Sequence, residues 1–105
     1  DVLLMKSEAK IRNGGAGDEE LNRVRSRVGA SYREATLENL LAERQLEFAW
    51  EGWRRQDLIR FDLFTRAYSS RPQLPDEGNG YTTVFPIPDK VRRMNPNLIQ
   101  NPGYK

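Results

Sequence analysis

The 105-residue sequence predicts a mainly α protein: a block of short helices followed by an irregular, proline-punctuated tail with at most one short strand. Three observations predict it. All six prolines lie at or after Pro72, so nothing before that position stops a helix by ring chemistry. The first 71 residues hold 25 of the 32 charges, spaced between apolar residues that recur every three to four positions. Leu, Ile, Val and Phe together number 24, which allows a core but a thin one.

Composition removes several classes of function. There is no cysteine and no histidine, so the chain contains no disulfide framework, no thiolate zinc site, no Ser-His-Asp triad and no HExxH metal site. The longest apolar run is four residues, Val2 to Met5, too short for a membrane-spanning helix. No cofactor-binding fingerprint and no metal-ligand set is present.

The elements follow in order. Residues 2–12 form an approximate helical stripe through Leu4, Met5 and Ala9, ended by the Asn13–Gly17 turn. Asp18 is placed to cap a second helix, with Glu19 and Glu20 in its first turn and Leu21, Val24 and Val28 on its buried side. Gly29 is placed as its C-terminal left-handed residue. A helix–glycine turn–helix pair of this kind resembles half of a solenoid repeat, although no second copy follows. A third helix starts at Ser31, as a capping box with Glu34, or at Thr36. It runs through Leu37, Leu40, Leu41, Leu46, Phe48, Trp50 and Trp53, apolar on more than one side by residues 46–53, and is expected to be largely buried there. A fourth helical segment is expected over 54–68. The block 1–68 then gives way to a tail, 69–105: a loop over 71–80, a β-prone run Tyr81–Phe85, one helical turn after Pro88, and an extended finish over 95–104.

Glu43, Glu47 and Glu51 recur at i, i+4 and i+8 on one helix face. Three like charges in a row call for neutralisation. The carboxylate metal sites of four-helix bundles need Glu-x-x-His, and no histidine is present. Arginines are at hand, since Arg44 precedes Glu47, Arg54 and Arg55 follow Glu51, and Asp57 lies between Arg54 and Arg60. The expectation is a structural network of Glu43, Arg44, Glu47, Glu51, Arg54, Asp57 and Arg60, in which Arg54→Ala costs more than a surface substitution, about 2–4 kcal/mol, by leaving a paired carboxylate buried. Arg23, Arg25, Arg27 and Arg33 read as a solvated face, because acids are interspersed and the net charge is only +2; no nucleic acid is expected as partner. Trp50 and Trp53 read as core at helical spacing, while Tyr68 and Tyr81 border loops and are candidate sugar-stacking rings.

The segment Glu43-Arg44-Gln45-Leu46-Glu47-Phe48-Ala49-Trp50-Glu51-Gly52-Trp53-Arg54-Arg55-Gln56-Asp57-Leu58-Ile59-Arg60 resembles the ER..E.aFEG.R..DL.R signature of the SusD/RagB family of outer-membrane nutrient-binding lipoproteins. Val84-Phe85-Pro86-Ile87-Pro88, Asn95-Pro96-Asn97-Leu98 and Gln100-Asn101-Pro102-Gly103-Tyr104 resemble that family's ending. Trp50 stands where Phe is usual, and Asp62 where such chains often carry Gly. The resemblance implies a tetratricopeptide-like α-α superhelix, of which residues 1–105 would be the C-terminal region. It implies binding without catalysis: capture of an oligosaccharide or other nutrient at the cell surface, a TonB-dependent transporter as partner, and attachment to the outer membrane through a lipid anchor that this chain lacks. No catalytic residue is implied, and no ligand-binding residue is carried over. Two other classes remain open on the residues alone: a helical protein–protein interaction module, and a hydrolase using two of Glu43, Glu47 and Glu51.

Overall fold

A computed structural model describes residues 1–68 and 70–105. Ser69, at which the sequence places the start of the tail, lies outside the described residues. The protein is mainly helical: α1 (Val2–Arg12), α2 (Asp18–Ser26), α3 (Leu37–Glu47), α4 (Arg54–Arg60) and α5 (Asp89–Met94), with single 3-10 turns at Glu77–Asn79 and Tyr81–Thr83. No helix among the described residues is long and apolar enough to cross a membrane. The chain forms two compact units, Asp1–Asp57 and Leu58–Lys105.

In the first unit α1 packs on α2 and α3. The core is four leucines: Leu4 from α1, Leu21 from α2, and Leu40 and Leu41 from α3. Each contributes about 1.5–3 kcal/mol of burial. The turns that set up this packing were readable. At the end of α1, Gly14 sits at φ +77°, with Gly15 N–H donating to Lys10 O and Gly14 N–H to Ile11 O. At the end of α2, Gly29 sits at φ +69°, with Ala30 N–H donating to Arg25 O and Gly29 N–H to Ser26 O. Both are Schellman endings, which satisfy the last carbonyls of a helix through a left-handed residue. Between these helices Ser7 Oγ donates to Gly17 O at 2.8 Å. A Cβ on Gly17 would stand 2.5 Å from that hydroxyl oxygen, so the absence of a side chain permits the approach.

Asp18 does not cap α2. Gly17 is the N-cap residue, and Asp18 Oδ1 instead accepts from Ala35 N–H and Tyr32 O–H, each at 2.9 Å. Those bonds, the Ala35 amide first, hold the Asp18 carboxyl below its ordinary range. One helical turn on, the Asn22 amide pairs with Arg33, accepting from its N–H and donating to its carbonyl, both at 2.8 Å. One turn further, Arg25 Nε donates to Ser31 O at 2.8 Å. The polar side of α2 thus straps down residues 31–35, which form no regular element. The strap ends where Thr36 Oγ1 accepts from Asn39 N–H at 3.1 Å, so the third helix starts at Thr36 and not at Ser31.

The expected continuous helix through residue 53 is broken. α3 ends at Glu47, and residues 48–53 form turns in which Trp50 (φ +68°) and Gly52 (φ +79°) are both left-handed. Helical spacing therefore does not carry on to the tryptophans. Trp50 is fully exposed, Trp53 is 41% exposed and Leu46 is also exposed, so the buried cluster expected over 46–53 does not form.

In the second unit, α4 stops at Arg60 and does not run to residue 68. Leu63 N–H donates to Leu58 O, Asp62 N–H donates to Ile59 O, and Asp62 is left-handed at φ +56°. This is a third Schellman ending, with an aspartate in the glycine position. Asp62→Gly is expected to stabilise the chain by roughly 0.5–1 kcal/mol, the left-handed cost removed less the entropy glycine adds to the unfolded chain. Urea denaturation checks this, and a destabilised variant would contradict it. The expected strand over Tyr81–Phe85 is also absent. Tyr81–Thr83 is a 3-10 turn entered through left-handed Gly80, and the extended residues after it pair with side chains rather than with another strand.

Candidate functional site

The signature charges of the first unit separate into pairs with distant partners. Glu43, buried, bonds Arg25, which is itself buried, and lies 3.7 Å from Arg33. Arg44, only 3% exposed, donates from Nε to Asp57 Oδ2 and from Nη1 to Asp1 Oδ1, both at 2.8 Å. Its guanidinium carbon also lies 5.0 Å from the Phe48 ring centre. Asp57 is 2% exposed. Glu47 accepts from Arg27 Nη2 through both oxygens at 2.8 Å. Arg54, half-buried, donates to Leu41 O at 3.3 Å, and Glu51 is exposed in the turn. Arg60, in the second unit, is exposed with its guanidinium 5.3 Å from the Phe61 ring centre.

The structure therefore corrects the solvated reading of Arg25, which is internal to the packing. Arg25 follows the buried Leu21 by four positions, so it lies on the same side of α2; that spacing was the available signal. A second buried charge went unread altogether. Glu20 is 2% exposed and lies 2.8 Å from Lys6 Nζ and 2.6 Å from Lys10 Nζ. The two ammonium groups, Lys10 first, pull its carboxyl down to about 2.

The second unit is organised around another unread carboxylate. Glu77 is fully buried. It accepts from Arg71, from Leu74 N–H at 2.9 Å and from Thr82 Oγ1 at 2.7 Å. The Arg71 guanidinium is the main cause that holds it down at about 2. A carboxylate depressed from 4.5 to about 2 stabilises the fold fully above pH 4.5, and loses that contribution as pH falls towards 2. Glu20 titrates in the same window. The tyrosine near-ultraviolet circular dichroism of the tail is expected to collapse below pH 4.5 in the wild type. In Glu77→Gln it should already be weakened at pH 7 and flatter against pH; an unchanged acid profile would remove Glu77 from this role.

The two tail motifs bind each other. Pro86 and Pro88 lack N–H groups, so Val84–Pro88 cannot enter an ordinary strand ladder. Side chains stand in for the missing strand. Gln100 accepts from Ile87 N–H at 2.8 Å and donates to Ile87 O at 3.0 Å. Asn101 Nδ2 donates to Phe85 O at 2.7 Å, and Tyr104 O–H donates to Val84 O at 2.9 Å. The Tyr104 ring meets Tyr81 edge to face, centroids 5.2 Å apart. Gly103, at φ +87°, lies against Tyr81 between these contacts.

Two hollows have polar and aromatic linings. One, of about 250 Å³ in the first unit, is lined by Arg44, Gln45, Phe48, Trp50, Arg54 and Asp57 among others. The other, of about 170 Å³ in the second unit, includes Asp62, Phe64, Thr65, Asn79 and Thr83. No group of three or more acidic residues placed to hold a metal ion occurs among the described residues.

A small helical scaffold whose signature charges serve as internal pairs, with a tail locked by its own amides, defines a structural region of a helical protein. The SusD family profile matches residues 1–104, and the chain belongs to that family. It is similar to the starch-binding protein SusD of Bacteroides thetaiotaomicron, 33% identical over 112 residues, covering 100% of this chain and 20% of that protein. The chain thus spans about a fifth of the length of this curated relative.

Proposed function

We propose that the chain is the C-terminal region of a glycan-binding lipoprotein of the outer-membrane surface, which captures an oligosaccharide for a TonB-dependent transporter and does not turn it over. The family match over residues 1–104 carries this reading, and the starch-binding relative supplies the ligand class. The geometry is in keeping with it. Glu43 and Glu47, two of the carboxylates a hydrolase would need, are engaged by Arg25 and Arg27, and the tail residues Asn101 and Tyr104 are spent on backbone clamps. The pairs Arg44–Asp57 and Arg25–Glu43 act as separate structural ties within the first unit.

Affinity electrophoresis of the protein carrying this region, through gels containing soluble polysaccharides, tests the proposal. Retardation by at least one glycan without release of reducing ends is expected. Release of reducing sugar that is lost in Glu47→Gln would replace the binding reading with the hydrolase. The exposed Val2, Met5 and Leu46 favour a second reading, a helical interaction module. Migration unaffected by any glycan, with a stable complex to another protein, would select it.

A further inference from the structure

Trp50 combines two features that cost stability. Its backbone is left-handed at φ +68°, which a bulky aromatic residue rarely adopts, and its side chain is fully exposed. Glycine would satisfy the same turn at no steric cost, as Gly52 does two residues on. A strained and fully hydrated indole is a poor structural choice and a good recognition surface. Trp50 lines the hollow of about 250 Å³, whose remaining wall combines Phe48 and Ala49 with Gln45 and Arg54.

The charges there narrow the ligand class. Asp57 in its lining is bonded by Arg44, so the hollow offers no free acid to attract a cation. What it offers is an aromatic face beside planar hydrogen-bonding groups. This complements a neutral sugar ring, which has one apolar C–H face and a rim of hydroxyls.

We propose that Trp50 is a stacking platform for one sugar ring of an oligosaccharide, with Gln45 and Arg54 as hydrogen-bonding partners to its hydroxyls. This subsite rests on the glycan-binding reading above and adds a ligand contact within the signature segment itself. The ring covers the indole on binding, and the hydration cost of the exposed aromatic is relieved in the complex.

The test uses the protein carrying this chain, labelled with 5-fluorotryptophan, and four oligosaccharides: maltoheptaose, cellohexaose, xylohexaose and mannohexaose. The fluorine resonance of Trp50 is assigned by its disappearance in Trp50→Phe. At least one oligosaccharide is expected to shift that resonance, and Trp50→Ala is expected to weaken binding of the same oligosaccharide by about tenfold or more in calorimetry. Trp50→Phe should retain part of the affinity. If the wild type binds but the Trp50 resonance stays unmoved at saturation, or folded Trp50→Ala binds equally well, the subsite is overturned and the glycan-binding reading stands. If none of the four binds the wild type, both are overturned. If Trp50→Ala fails to fold, the fluorine shift decides alone: movement supports the subsite and its absence overturns it.

Discussion

Arg44→Ala is expected to cost the first unit about 3–5 kcal/mol, the range for removing one partner of a buried ion pair. The loss has three sources. Asp57, 2% exposed, loses the guanidinium that bonds it at 2.8 Å. Asp1 loses its anchor, and with it one tie between the start of α1 and α3. The cation over the Phe48 ring is removed as well. The unit has only four buried leucines to set against this. At about 0.05–0.15 kcal/mol per residue, a unit of this size holds roughly 3–9 kcal/mol, of which that loss is a large share. Arg54→Ala should cost less, because Arg54 is half-buried and reaches Leu41 O at a long 3.3 Å. The sequence pointed to Arg54; the structure moves the larger effect ten residues back. Urea titration of both variants against wild type gives the comparison. Arg44→Ala within ~1 kcal/mol of wild type would show that the pair is solvated.

Gly103→Ala should cost about 2–5 kcal/mol, adding a left-handed penalty of ~1–2 kcal/mol to an overpacking cost of ~1–3 kcal/mol. The new methyl would stand 2.5 Å from Tyr81 Cβ and Cγ and 2.9 Å from Cδ2. These atoms are near the root of the ring, so a rotamer change cannot clear them cheaply. Displacing Tyr81 would undo the edge-to-face contact with Tyr104, and moving Tyr104 would undo its bond to Val84 O. The expected signature is loss of tyrosine near-ultraviolet dichroism with α1–α3 helicity retained. Intact tyrosine dichroism in the variant would place the tail contacts elsewhere.

What the sequence disclosed divides by distance along the chain. Helix ends set by local backbone chemistry were visible: Gly14 and Gly29 occupy the left-handed positions that Gly-containing turns predicted. Elements decided by partners far away were not. Arg25 finds Glu43 eighteen residues on and Arg44 finds Asp1 forty-three residues back, and no local pattern encodes either pairing. The break at 48–53 was masked by an apolar run that reads as buried helix, with Gly52 as its one local sign. Asp62 was marked as a departure from the family pattern, but its left-handed backbone became visible only with the Leu63–Leu58 bond. The run Tyr81–Phe85 has strand-forming residues. It folds otherwise because Thr82 is drawn to buried Glu77 and the carbonyls of Val84 and Phe85 are taken by Tyr104 and Asn101. Of the candidate site, the aromatic residues were legible as types. The exposure of Trp50 was not, because it depends on a turn the helical period concealed.

The pairing of the tail with its own amides bears on aggregation. Val84, Phe85 and Ile87 are the kind of residues that recruit a neighbouring molecule into a shared sheet. Two prolines remove donors from that segment, and Gln100, Asn101 and Tyr104 occupy carbonyls and an amide that an incoming strand would seek. This stretch is thereby closed to templated growth, and protection of this kind lasts only as long as the clamp does.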